Sequence, residues 1–117
     1  MKTETVFLSN IHMEMTYNIG VSAQDNFDLI DASNPQDIWF HVEGLPSCHV
    51  VAVIPENEKL EKKKMQTIIK RGALICKQNS KYVSHKNLPI IYTKISNVQK
   101  TNILGSVTTT DTKIISI

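Results

Sequence analysis

The fourteen residues Asp37-Ile38-Trp39-Phe40-His41-Val42-Glu43-Gly44-Leu45-Pro46-Ser47-Cys48-His49-Val50 constrain the fold of this chain more than any other stretch. Apolar Ile38, Phe40 and Val42 alternate with Asp37, Trp39, His41 and Glu43, the two-residue period of a strand with one face in a core. Gly44-Leu45-Pro46-Ser47 interrupts that period as a turn, and a second strand over 48–54 follows. The unit is a β-hairpin whose polar and aromatic side chains share a face. Whether His41 and His49 lie together depends on loop parity, because antiparallel partners fall on one side only across a loop with an odd number of residues. A loop of residues 44–48 sets Glu43 opposite His49 and gathers Trp39, His41, Glu43 and His49 into one patch. A loop of 44–47 sends His49 to the other side. The first is preferred, since it puts Val50, Ala52 and Ile54 into the core with Phe40 and Val42 and leaves Val51 and Val53 on the patch side.

The rest of the chain supplies partners for this hairpin. Residues 5–8 and 15–20 read as two strands joined by a turn at 9–12. Phe27, Leu29 and Ile30 are spaced too irregularly for a long helix, so residues 23–30 are expected to form one or two helical turns, stopped by Asn34-Pro35. Pro55-Glu56-Asn57-Glu58 then opens a helix predicted over about 58–79, with acids at its N-terminal end where the helix dipole favours them. Met65, Ile68, Ile69, Gly72, Ala73 and Cys76 form its buried stripe, and the small Gly72 and Ala73 permit close approach to a sheet. Opposite the stripe run Lys63, Lys70 and Lys77, with Lys64 and Arg71 in a neighbouring column. Residues 88–93 read as a strand, 96–100 as a loop or short turn, and 106–107 with 113–117 as closing strands. The expected architecture is α+β, a single domain over 1–117, mostly antiparallel sheet with one principal amphipathic helix. A chain of 117 residues suits one domain able to build its core without disulfides or metal.

The net charge of +2 conceals a sorting of charge along the chain. Residues 1–58 hold one lysine against nine carboxylates, whereas residues 59–100 hold eleven cations against Glu61 alone. Such asymmetry points to a polyanion partner for the basic part, unless the two halves neutralise each other within the fold. No apolar run is long enough to span a bilayer, so membrane insertion is not expected. The opening residues enter a strand-like pattern without the apolar core of a signal peptide, which places the chain in the cytoplasm, in a host cytosol or nucleus. Cys48 and Cys76 are then expected as free thiols.

The hairpin's concentration of Trp, His and Cys invites a search for chemistry. His41, Cys48, His49 and Cys76 have metal-ligating atoms but none of the paired spacings of a zinc site, so no metal and no cofactor are expected. Cys48 and His49 are sequence neighbours on a strand and point to opposite faces, so nucleophilic catalysis has no geometry and no catalytic residue is assigned. The structural alternatives are a hydrogen-bonded Asp37–His41 pair and a core-packed Trp39; the functional one is a platform on which a base stacks. His12 and His85 have no pattern around them and are expected at the surface.

Asp37-x-Trp39-Phe40-His41-Val42 followed by Ser47-x-His49-Val50 resembles the signature of the NFACT-R domain, the RNA-binding module of NFACT proteins in ribosome-associated quality control. Asp28-Leu29-Ile30, Ile91-Tyr92-Thr93, Asn97-Val98-x-Lys100-Thr101 and Lys113-Ile114-Ile115 stand in the family's order, so the resemblance covers nearly the whole chain. Two departures stand out: Ser47-Cys48-His49 replaces the Gly-Ser-His of many members, and the C-terminal coiled coil of the short eukaryotic members has no counterpart before Ile117. The resemblance implies a non-enzymatic module that binds RNA, tRNA or ribosomal RNA, with the ribosome as a further partner. Trp39, His41, His49, Lys63, Lys64, Lys70, Arg71, Lys77 and Lys100 are the candidate nucleic-acid-binding residues, and Asp37 and Gly44 the structural ones. The alternative is a protein-interaction adaptor with no direct RNA contact. The pattern leaves the oligomeric state open.

Overall fold

The computed structural model describes residues 1–56 and 59–117. Strands β1 (Lys2–Leu8) and β2 (Met13–Gly20) pair antiparallel across a turn in which His12 adopts a φ of 50°. Helix α1 (Ala23–Asp31) follows, capped by the Ser22 hydroxyl, which accepts the Asp25 N–H at 3.1 Å. The central hairpin comprises β3 (Ile38–Val42) and β4 (His49–Ala52), joined through Gly44 at a φ of 69°. Helix α2 (Lys62–Gln78), β5 (Pro89–Lys94), a 3-10 turn (Ile95–Asn97), β6 (Val98–Lys100), β7 (Val107–Thr109) and β8 (Lys113–Ser116) complete the chain.

Six strands form one antiparallel sheet in the order β1-β2-β4-β3-β5-β8, while β6 and β7 form a separate ribbon. The alternation of the central hairpin decides what each face of the sheet meets. Phe40, Val42, Val50, Ala52 and Ile54 turn toward α2 and pack with Ile68, Ala73, Ile75 and Cys76 in the main core. Gly72 is essential to this contact, because a Cβ there would collide with the Phe40 ring. Tyr17 ties the layers together, its buried hydroxyl donating to the Ile68 carbonyl at 2.9 Å. On the opposite face Trp39 and Val51 pack with Leu29 of α1 and with Ile95 and Val98, a smaller second core.

The structure therefore matches the α+β expectation and corrects several details. The one or two helical turns expected over 23–30 are present as α1, which runs slightly longer, for nine residues. Helix α2 begins at Lys62; of the residues expected to open it, Asn57 and Glu58 lie outside the described residues, and Lys59 and Leu60 are not helical. Its first turn contains no acid, and Glu61 sits at the cap, its carbonyl receiving the Met65 N–H at 3.0 Å. Three lysines thus occupy the positive end of the helix dipole, where cations are least favoured. Residues 96–100, expected as a loop or short turn, do begin in the 3-10 turn, but 98–100 form β6, because the small ribbon pairs Lys100 with Val107. Among the described residues, no helix is long and apolar enough to cross a membrane.

Candidate nucleic-acid interface

The burial of Ile68, Gly72, Ala73, Ile75 and Cys76 fixes the rotation of α2 and turns its basic residues outward. Lys62, Lys63 and Lys70 are exposed, and Lys64, Arg71 and Lys77 are half-buried. Beside this face the β1–β2 turn approaches the helix, with Asn10 Nδ2 donating to Thr67 Oγ1 at 3.2 Å. The approach creates a groove whose first segment, about 380 Å³, runs along Lys63, Gln66, Thr67 and Lys70. A second segment, about 280 Å³, continues past Asn10, Lys70 and Arg71 toward Ile117. Lys77 extends its ammonium to the Ile117 carbonyl at 3.0 Å. The salt bridges among the described residues are Lys100 with Asp31 and the N-terminal ammonium with Asp25, so none of the six cations of α2 is in one. No carboxylate of the acidic half forms a direct ion pair with this helix among the described residues.

Trp39, His41 and His49 do come together, but on the other face of the sheet. Phe40 pairs with Val50 and Trp39 with Val51, a register that brings His41 level with His49. The two imidazoles meet edge to face with centroids 5.0 Å apart. The preferred loop parity is thus correct, while the register is shifted by one pair and Glu43 no longer stands opposite His49. The Glu43 N–H instead bonds to the Pro89 carbonyl at 3.0 Å, because β5 rather than β4 neighbours this end of β3. The structural alternative of an Asp37–His41 pair is not realised, since each side chain bonds elsewhere. Asp37 is buried, and its two carboxylate oxygens accept the N–H groups of Asn34 and Ile54, each at 2.9 Å. It joins the entry of β3 to the exit of β4.

The hydrogen bonds define the chemical state of the patch. Trp39 Nε1, which can only donate, reaches His49 Nδ1 at 3.0 Å, so the His49 proton resides on Nε2. His41 Nδ1 lies 2.6 Å from the Val42 carbonyl, which can only accept, so His41 carries its proton on Nδ1 and a lone pair on Nε2. Burial and the neighbouring His41 push His49 down to about 3. Burial also lowers His41, against a smaller upward pull from its bond to the Val42 carbonyl. Both rings are neutral at physiological pH. They line a cavity of about 290 Å³ together with Trp39, Ile91 and a rim formed by Gly105 and Val107.

The predicted site residues therefore divide into two sets that do not share a surface. Lys63, Lys64, Lys70, Arg71 and Lys77 lie along α2, whereas Trp39, His41 and His49 lie beneath α1 and the β6–β7 ribbon. Trp39 and His49 are each 3% exposed, so neither offers an open ring face as a stacking platform. Lys100 belongs to neither set: it is paired with Asp31 and sits 5.4 Å from the centre of the Phe27 ring, bracing the ribbon against α1. Sequence reading did not anticipate Asn10, Gln66 and Thr67 in the groove or residues 105–107 at the cavity rim. A polar residue in a hairpin turn has no periodic signal, although Gly105, at a φ of 81°, marks a turn by its residue type.

The chain matches a family model described as the NFACT protein RNA binding domain over residues 6–112. It is similar to coiled-coil domain-containing protein 25 of Mus musculus, 33% identical over 97 residues that make up 81% of this chain and 47% of that protein. The homologue in Dictyostelium discoideum is 30% identical over 97 residues, 82% of this chain and 47% of its own. The chain thus spans about half the length of these curated relatives. Among solved structures, the C-terminal part of the fibronectin/fibrinogen-binding protein from Streptococcus suis superposes with a TM-score of 0.75 at 17% identity, covering 88% of this chain and 41% of that one.

Proposed function

This chain belongs to the NFACT RNA-binding domain family, and on that premise we propose that it binds RNA by seating phosphates along the outer face of α2. The supporting observation is that α2 carries six cations, none of them salt-bridged among the described residues, and that three of them, Lys63, Lys70 and Arg71, border a groove whose walls add the Asn10 and Gln66 amides and the Thr67 hydroxyl. Ammonium and guanidinium groups attract phosphate, and neutral donors fix its position without reading sequence. Lysines at the positive end of the helix dipole lose energy that a bound anion restores. Binding of this kind tolerates many sequences, which fits folded RNAs such as tRNA or ribosomal RNA. Their encounter with this chain is proposed to occur in the cytoplasm at the ribosome, in translation or its quality control.

The test is fluorescence anisotropy with labelled tRNA and with a ribosomal RNA hairpin across a salt series. The logarithm of affinity should fall linearly with the logarithm of salt concentration, by about 0.7 to 0.9 per phosphate contact. Replacing Lys63, Lys70 and Lys77 together with alanine should weaken binding and reduce that slope by about 2. Absence of affinity at low salt, or the same affinity and slope in the triple variant, would refute the assignment. A pull-down with and without nuclease distinguishes the adaptor alternative, which requires a partner set that survives RNA digestion.

A further inference from the structure

We propose that the cavity lined by Trp39, His41 and His49 receives one unstacked nucleobase, with His41 Nε2 accepting from the base edge and His49 Nε2–H donating to it. The proposal rests on the RNA-binding reading for the source of the base, but its chemistry derives from the cavity alone. Hydrogen bonding fixes the two tautomers independently, since an indole N–H can only donate and a carbonyl can only accept. As a result, adjacent imidazoles present one acceptor and one donor. Among the described residues neither Nε2 has a protein partner and neither is a buried unpartnered atom, so each keeps some exposure on a ring that lines the cavity.

A neighbouring donor and acceptor match the edge of each of the four bases, whereas a phosphate offers acceptors only. The walls agree, because Ile91 and Val107 are apolar and no charged side chain lines the cavity. Size agrees as well: about 290 Å³ falls just below the roughly 300–1,000 Å³ typical of small-molecule sites, as suits a single heterocycle rather than a larger ligand. Gly44 and Gly105 keep side chains away from the rim. Base edges are hidden in duplex and free in loops, so the cavity would give this module a preference for unpaired RNA that the α2 groove cannot provide.

The direct test uses uridine and adenosine, which carry no phosphate and make no demand on α2. In a two-dimensional NMR experiment correlating imidazole nitrogens and protons, each nucleoside should saturably shift the Nε2 signals of His41 and His49 and the Trp39 indole signal. Exposed His12 and His85 should stay in place. His41→Phe, which preserves a ring but removes the acceptor, should weaken nucleoside binding about tenfold, the loss of one net hydrogen bond. The inference is overturned if the His41 and His49 signals do not move up to the solubility limit of the nucleoside, if ribose alone moves them equally, or if His41→Phe binds as the unmodified protein does. Failure of the tRNA salt series would leave a positive nucleoside result standing, and failure with nucleosides would leave the salt series intact, so the two readings fall separately.

Discussion

The burial of His49 beside His41 carries a consequence for acid stability. Because His49 is held at about 3 in the folded chain and returns to about 6.5 on unfolding, the unfolded state binds a proton between these values that the folded state refuses. The contribution is therefore fully present above about pH 6.5 and is lost as pH falls toward 3, by up to about 1.4 kcal/mol per unit. Urea titrations at pH 7 and pH 5 should differ by about 2 kcal/mol from this residue, and His49→Gln should remove that difference. Equal pH profiles in the two proteins would contradict the account. Asp37 acts at the same scale by a different route. Asp37→Ala leaves the N–H groups of Asn34 and Ile54 without their acceptor, at about 1–3 kcal/mol each where buried, so denaturant unfolding should record a loss of about 3 kcal/mol. Both residues were legible in the sequence as unusual, but their partners were not. The bond from Asp37 to Ile54 joins residues from different elements, and whether Trp39 is covered depends on α1 and Ile95, which no local pattern places above it.

Element by element, periodicity was informative where one face is buried and silent where packing decides. The α2 stripe was read correctly at Ile68, Gly72, Ala73 and Cys76, but Ile75 escaped it although fully buried. A helix crossing the middle of a sheet buries a wider arc than the i, i+3, i+4 spacing samples. Residues 98–100 escaped for another reason, and of 107–109 only the first residue was read as strand: three-residue strands are too short to display a period. The contact between Gly72 and Phe40 provides the test at this level. Gly72→Ala would raise helix propensity by about 1 kcal/mol, yet the new methyl would strike three atoms of a ring that is completely buried. Overpacking of that kind costs about 1–3 kcal/mol, so a clash with a ring that cannot yield should outweigh the propensity gain and thermal unfolding should show a net loss of about 1 kcal/mol. A stabilised variant would mean that Phe40 can move aside and that the helix–sheet contact is looser than its geometry.

For the whole molecule, the decisive fact is that the two candidate sites occupy opposite faces of one sheet. Alternation in β3 sends Phe40 toward α2 and its neighbours Trp39 and His41 away from it, so the residues that identify the family in sequence stand back to back with the helix that bears the charge. Adjacency along the chain concealed this, although the period-two pattern already contained it. Sites separated by a sheet, with no shared side chain, should act independently, and free-energy changes at such sites add to within about 0.3–0.5 kcal/mol. In a double-mutant cycle on binding to an RNA stem-loop, the Lys63, Lys70 and Lys77→Ala set should lower affinity and flatten the salt dependence without changing the preference for loop over duplex. His41→Phe should do the reverse, reducing that preference while leaving the salt slope unchanged. The combined variant should lose the sum. A coupling above about 1 kcal/mol would instead require one RNA segment to contact both faces around the edge of the sheet, or one site to alter the other through β3.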